Sequence, residues 1–168
     1  DQLIISKFKS FNFTQRVILI YLKESVNLDQ KHPNQVSLRT NAISNINLAD
    51  YYFQAFNTNQ ISYKTAYDTI SKYLNKVENI PSSIDQNFEL RASSLGMKAQ
   101  LALAKKDFKT AEKHLLNAYY NLRMENSRPA YYTLYNVTIG LHTLYNSQQD
   151  YKSAYKFLGI NQSYKDSI

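Results

Sequence analysis

Histidine is the side chain best suited to moving protons or holding a metal near neutral pH, and this chain has three: His32, His114 and His142. They lie far apart. No two have the i, i+4 spacing that sets a pair of imidazoles on one helical face, and no His-Glu-x-x-His word occurs. His114 falls among lysines and His142 among apolar residues, so both read as packed or surface histidines rather than ligands. The thirteen Asp and Glu residues are spread thinly, and none forms a desolvated pair of the kind that general acid–base chemistry needs. Asp107 and Asp150 recur at the head of a repeated word. There a carboxylate caps free N–H groups and complements the helix dipole.

The absence of cysteine excludes disulfides, thiolate nucleophiles and thiolate zinc sites. Gly96, Gly140 and Gly159 stand singly in helical context, so no glycine-rich loop is available to cradle a phosphate. Ser, His and Asp form no recognisable nucleophile arrangement. The expectation is a protein that is not an enzyme, with no catalytic residues, no metal and no cofactor.

With 168 residues there is room for one domain with a sizeable core. Three glycines and three prolines are too few for a chain of many tight turns, which points to long helices with short connections. The aromatic content is lopsided, with 15 Tyr, 8 Phe and no Trp; tyrosine fills space between helices while its hydroxyl stays wet or bonded. The longest compact apolar run, Val17 to Leu22, is far short of the ~20 residues that span a bilayer. No leader is visible, and the chain opens on Asp1; it reads as a processed protein or a piece excised from a larger one. The net charge of +7 would suit an anionic partner. However, the lysines are scattered, and the one dense group (Lys105, Lys106, Lys109 and Lys113) is interleaved with Asp107 and Glu112. That group reads as a solvated helix face.

The elements that must position any site are announced by a repeat. "SYKTAYDTI" (Ser62 to Ile70), "DFKTAEKHL" (Asp107 to Leu115) and "DYKSAYKFL" (Asp150 to Leu158) are one word written three times, 45 and 43 residues apart. An aromatic (Tyr63, Phe108, Tyr151), an alanine (Ala66, Ala111, Ala154) and an aliphatic residue (Ile70, Leu115, Leu158) lie at i, i+3 and i+7. That is one stripe of a helix, with the alanine letting a neighbour come close. Pro33, Pro81 and Pro129 recur every 48 residues in polar stretches. Proline favours the first turn of a helix, and Ser83 with Gln86 reads as a capping box, with Ser127 as a further cap. Each proline therefore opens a helix, and each repeated word sits in the next. Two periodicities in phase are the signature of a repeat architecture.

The predicted helices run 3–26, 35–57, 61–77, 83–105, 108–124, 129–146 and 151–164. The fold class is all-α. It is a single domain over 1–168, with antiparallel helix-pair units at about 33–78, 81–125 and 129–166 behind an N-terminal helix.

The residues of these units resemble the tetratricopeptide repeat family. That family has a Leu, a small residue and an aromatic in the first helix of each pair, and an aromatic, an Ala and a bulky residue in the second. The last unit fits with Leu141, Tyr145, Tyr151, Ala154 and Leu158, although His142 stands at the small position. In the middle unit Ala99, Phe108, Ala111, Leu115 and Ala118 fit, whereas Lys98 and Ala102 depart from the pattern. The first unit matches from Tyr63 to Ile70. The resemblance implies a right-handed solenoid of about seven helices. More narrowly, "YKSAYKFLGINQSYKDSI" resembles the end of the tetratricopeptide sensor region in Bacteroidetes signalling proteins, histidine kinases or transcriptional regulators. That likeness implies an extracytoplasmic, periplasmic input module; without it, a cytoplasmic adaptor is the expectation.

In a solenoid of helix pairs the first helices line the concave face. The family's inward positions fall on Tyr51, Ser93, Gln100, Asn136, Thr143 and Asn146, polar or amphipathic residues able to bond a peptide's amides. A protein or peptide partner in that groove is the first functional reading. The alternative is a basic helical repeat associated with nucleic acid, supported by pI 9.4, the stripe Lys105, Lys109, Lys113 and the abundant tyrosine. Against it, the residues shared between units are packing residues, while RNA-reading repeats vary base-contacting side chains at one fixed position. Nucleic acid is therefore not the expected partner. Self-association through Leu158, Ile160 and Tyr164 of the last helix is also expected, because terminal repeats expose an apolar flank. No membrane contact is expected within the segment.

Overall fold

The structure, a computed structural model, describes residues 13–31, 37–79, 87–124 and 130–168. These form seven α-helices and, among the described residues, no strand. They are α1 (Phe13–Lys31), α2 (Leu38–Asn57), α3 (Tyr63–Glu78), α4 (Asn87–Ala104), α5 (Phe108–Met124), α6 (Tyr131–Ser147) and α7 (Tyr151–Lys165). Six of the helices begin and end within four residues of the boundaries read from sequence. The first differs: it continues past Val26 to Lys31, and its expected beginning lies outside the described residues, as do the three prolines, Ser83, Gln86 and Ser127. Glu89 lies in the first turn of α4, whose start falls at Asn87.

Contacts divide the chain into two compact units, Asp1–Pro81 and Ser82–Ile168. In the first, α2 packs against both α1 and α3. Ala42, Asn45, Leu48, Ala49 and Tyr52 form the buried stripe of α2, and Ala66, Ile70, Leu74 and Val77 that of α3. Tyr52 stacks on Tyr73 with centroids 6.1 Å apart. Leu19 and Val26, seven residues apart, are buried on α1, and Ser25 bonds Ser44 across to α2 at 3.1 Å.

In the second unit α4 pairs with α5 and α6 with α7, and α6 also packs on α5 and on α4. Small residues govern the spacing. Ala92, Ala99 and Ala102 of α4 and Ala111 and Ala118 of α5 are all buried in one core with Leu115, Leu122, Leu141 and Leu144. Each leucine so buried contributes about 2 kcal/mol. Gly140 lets α6 close on α5, since a Cβ there would stand 3.0 Å from Cδ2 of Leu115. Phe157 seals the core, stacked on Tyr145 at 5.7 Å and edge-on to Tyr119 at 5.6 Å.

The turns inside the pairs repeat in detail. Asn59, Lys106 and Gln149 are the residues with positive φ among those described, at 57°, 61° and 62°. Each is the second residue beyond the end of a helix. Gln60, Asp107 and Asp150 then return an N–H to the carbonyls of Ala55, Ala102 and Tyr145, five residues back, while the left-handed residues donate to Phe56, Leu103 and Asn146. That is a Schellman closure, made three times without glycine. The next helix is capped at once, by Ser62 accepting from the Thr65 N–H at 3.2 Å, Asp107 from Thr110 at 3.1 Å and Asp150 from Ser153 at 3.2 Å. Turns this short, five residues in the first pair and three in the other two, join the helices antiparallel.

The repeated word is not buried equally in its three copies. Ala66, Ile70, Ala111, Leu115 and Ala154 are buried, and Tyr63 and Phe108 are half-buried. In the last copy Tyr151 is 57% exposed and Leu158 is 39% exposed, which corrects the expectation of a buried stripe there. The inward stripe of α7 is Ala154, Phe157 and Asn161 instead. Leu115 is covered because α6 lies over it, and α7 is the last helix of its unit, with no described helix over Leu158.

Candidate functional site

In the first unit α1 and α2 diverge around an open groove of about 350 Å³. Gln15, Ile18 and Leu22 face it from α1, at the i, i+3, i+7 spacing of one helical stripe. From α2 come Asn47, Asp50, Tyr51, Gln54 and Ala55, with Thr58 and Gln60 of the following turn closing one end. The Tyr51 hydroxyl donates to the backbone carbonyl of Gln15, and Gln60 Nε2 donates to Gln15 Oε1 at 3.2 Å. These bonds tie the two walls together. Burial pushes the Tyr51 phenol up to about 12, so it stays a neutral donor at any physiological pH. Thr58 turns its hydroxyl back onto the Gln54 carbonyl at 2.9 Å. Asp50 is the single formal charge among the groove residues, with Gln54 Nε2 3.5 Å from its Oδ1.

The lining is therefore carboxamide side chains and one carboxylate around an apolar floor of Ile18, Leu22 and Ala55. Planar amides donate and accept side by side, as peptide bonds do. Such a groove can bond an extended backbone and hold an apolar side chain, but it contains no nucleophile–base pair. Among the described residues no group of three His, Asp, Glu or Cys could hold a metal.

Of the six residues predicted for a concave face, only Tyr51 lines this groove. Ser93 and Gln100 lie seven apart on α4, and Asn136 and Thr143 seven apart on α6, with Asn146 one turn further. Gln100, Asn136, Thr143 and Asn146 are exposed, and Ser93 is half-buried. α4 and α6 are neighbours, bridged where Thr133 donates to Glu89 at 3.1 Å. Thr143 spends its hydroxyl on the Ile139 carbonyl of its own helix.

The residues with chemical potential are absorbed into structure. His142 Nδ1 donates to the Ala154 carbonyl at 3.0 Å, bridging α6 and α7 at the position where the repeat pattern prefers a small residue. Asp107 and Asp150 are caps, and the hydrogen bonds from Thr110 and Ser153 hold their carboxyls below the usual aspartate value. Glu112 accepts from the Tyr145 hydroxyl at 2.6 Å; burial, then this bond, pushes that phenol well above its ordinary value. Lys105, Lys109 and Lys113 are exposed. His32 lies outside the described residues.

Two buried amides escaped the sequence reading. Asn161 donates to the Tyr135 carbonyl at 2.7 Å and to Thr138 Oγ at 3.0 Å, pinning α7 to α6. Asn45 donates to the Asn41 carbonyl and side chain at 2.8 and 2.9 Å, and its own Oδ1 is buried without a partner. In the sequence an Asn inside a helix is indistinguishable from a surface amide. The one available signal for the groove was the Gln15, Ile18, Leu22 stripe.

Comparison with family models, with curated proteins and with solved structures returns no match.

Proposed function

We propose that this chain is a non-catalytic interaction module of tetratricopeptide-like helix pairs, which binds a protein or peptide partner along the faces of its first helices. The observation that carries this reading is the carboxamide-lined groove between α1 and α2, with Tyr51 in its wall. The division of labour between helices supports it as well. The second helices carry the repeated packing word, while α2, α4 and α6 carry the exposed amides of Asn47, Gln54, Gln100, Asn136 and Asn146. A groove whose only charge is Asp50 favours a segment with a Lys or Arg beside an apolar anchor.

The test is selection from a random-peptide display library against the immobilised protein. Enriched peptides are expected to carry a basic residue near an apolar one, and to lose binding to an Ile18→Asp or Gln54→Ala variant with an unchanged circular dichroism spectrum. Failure to enrich, or binding indifferent to both substitutions, would refute the groove as the site.

The terminal word "YKSAYKFLGINQSYKDSI" supports a narrower proposal, that the module is the sensing region of a bacterial signal-transduction protein. Reading the gene outward from both ends tests this. A membrane segment followed by a kinase or DNA-binding module is expected, and a frame encoding neither overturns the sensor reading while leaving the interaction module standing.

A further inference from the structure

The outward face of α7 is an uncovered copy of a surface that the chain uses once already. On α5, Glu112 accepts from Tyr145 of α6 at 2.6 Å, and Leu115 lies beneath Gly140 of α6. Aligning Ala111 with Ala154 sets Glu112 on Tyr155 and Leu115 on Leu158. Leu115 is 3% exposed; Leu158 is 39% exposed and Tyr155 72% exposed. The face on which α5 receives a helix is thus repeated on α7 with none of the described helices upon it. Ile160 and Tyr164, expected from sequence at such a contact, instead pack on the unit's own core.

Gly159 adds an independent observation. It lies one turn beyond Tyr155 on this same face, and a Cβ placed there meets nothing within 4 Å. A glycine in a helix interior costs roughly 0.5–1 kcal/mol relative to alanine. Gly140 has a packing reason in Leu115; Gly159, like Gly96 on α4, has none among the described residues, and Gly159 is the one that lies on this uncovered face.

The stripe is self-complementary. Tyr155 projects and Gly159 leaves a vacancy, four residues apart. If two α7 helices lie antiparallel, with the two-fold axis at the level of Phe157, each Tyr155 falls on Gly159 of the second copy, the reciprocal contact that a two-fold interface requires. In that register Lys152 lies opposite Gln162, Lys165 opposite Gln149 and Asp166 opposite Gln148. No like charges meet. We infer that α7 is a homodimerisation helix, which pairs antiparallel with α7 of a second copy through Tyr151, Tyr155, Leu158 and Gly159.

Sedimentation equilibrium of the full chain from low micromolar to millimolar concentration tests this. A monomer–dimer equilibrium is expected. Gly159→Gln fills the vacancy with a better helix former, so association should weaken by about tenfold or more while the melting temperature of the dilute protein holds or rises. Leu158→Lys should weaken association likewise. A monomer at every concentration overturns the proposal. So does a dimer that neither substitution weakens, because it would be built on another surface.

Discussion

Replacing Lys106 by glycine should stabilise the protein, although it deletes a long side chain and adds the most flexible residue to the chain. Lys106 has φ of 61°, where an L residue brings its Cβ against the following carbonyl at a cost of roughly 1–2 kcal/mol. Glycine has no such clash, and its greater freedom in the unfolded chain offsets about 0.5–1 kcal/mol of the gain. The net expectation for Lys106→Gly is about 0.5–1 kcal/mol of added stability. For a chain of this size that is a rise of about 1–4 °C in melting temperature. Gln149, at 62° in the equivalent turn, should respond alike. Asn59 should gain less, because asparagine enters this region with little penalty. Lys106→Ala is the control: it removes the same side chain and keeps the Cβ, so stability should hardly move. Urea unfolding followed by circular dichroism reads all four variants. A loss of stability in Lys106→Gly, or an equal gain in Lys106→Ala, would refute the left-handed closure of these turns.

Leu115 and Leu158 hold the same position of the repeated word, yet Leu115→Ala should cost about 2–5 kcal/mol, the range for a fully buried leucine. Leu158→Ala, measured in dilute protein, should cost less than about 1 kcal/mol; chemical denaturation compares the two directly. Asn161→Ala should destabilise by about 1–3 kcal/mol, since it strips a buried amide from the Tyr135 carbonyl and Thr138. Asp107 and Asp150 have carboxyls held below their unfolded value, so each contributes stability above the ordinary aspartate pKa that is lost as pH falls through the lower folded value. Melting temperatures of wild type and Asp150→Ala should therefore differ near neutrality and converge under strong acid. A constant gap across that range would contradict the capping role.

The second helices were plain in the sequence because their packing is local. Ala111 and Leu115 face the core through contacts made within a pair or with the next helix, and the i, i+3, i+7 stripe encodes that directly. The turns were harder. A scarcity of glycine suggested few tight closures, but the chain places Asn59, Lys106 and Gln149 in the left-handed conformation that glycine usually takes. Burial of Leu158 could not be read from its own helix, since it depends on whether another helix lies above. The groove depends on how α1 lies against α2, which the sequence of neither helix encodes, and on Gln15, Asn47 and Gln54, amides that read as surface residues. Only Tyr51 reached the candidate list, through its register in the repeat.

If the recurring word is a packing message confined to neighbouring helices, the stretch Ser82–Ile168 holds its own complete core, with Ala99, Ala111, Leu115, Leu141 and Phe157 in one cluster. Expressing that fragment alone and following its thermal unfolding by circular dichroism is the most direct measurement. The expected result is a helical spectrum and a single cooperative transition. A fragment that is unfolded, or that melts without cooperativity, would contradict a fold built from self-contained helix pairs.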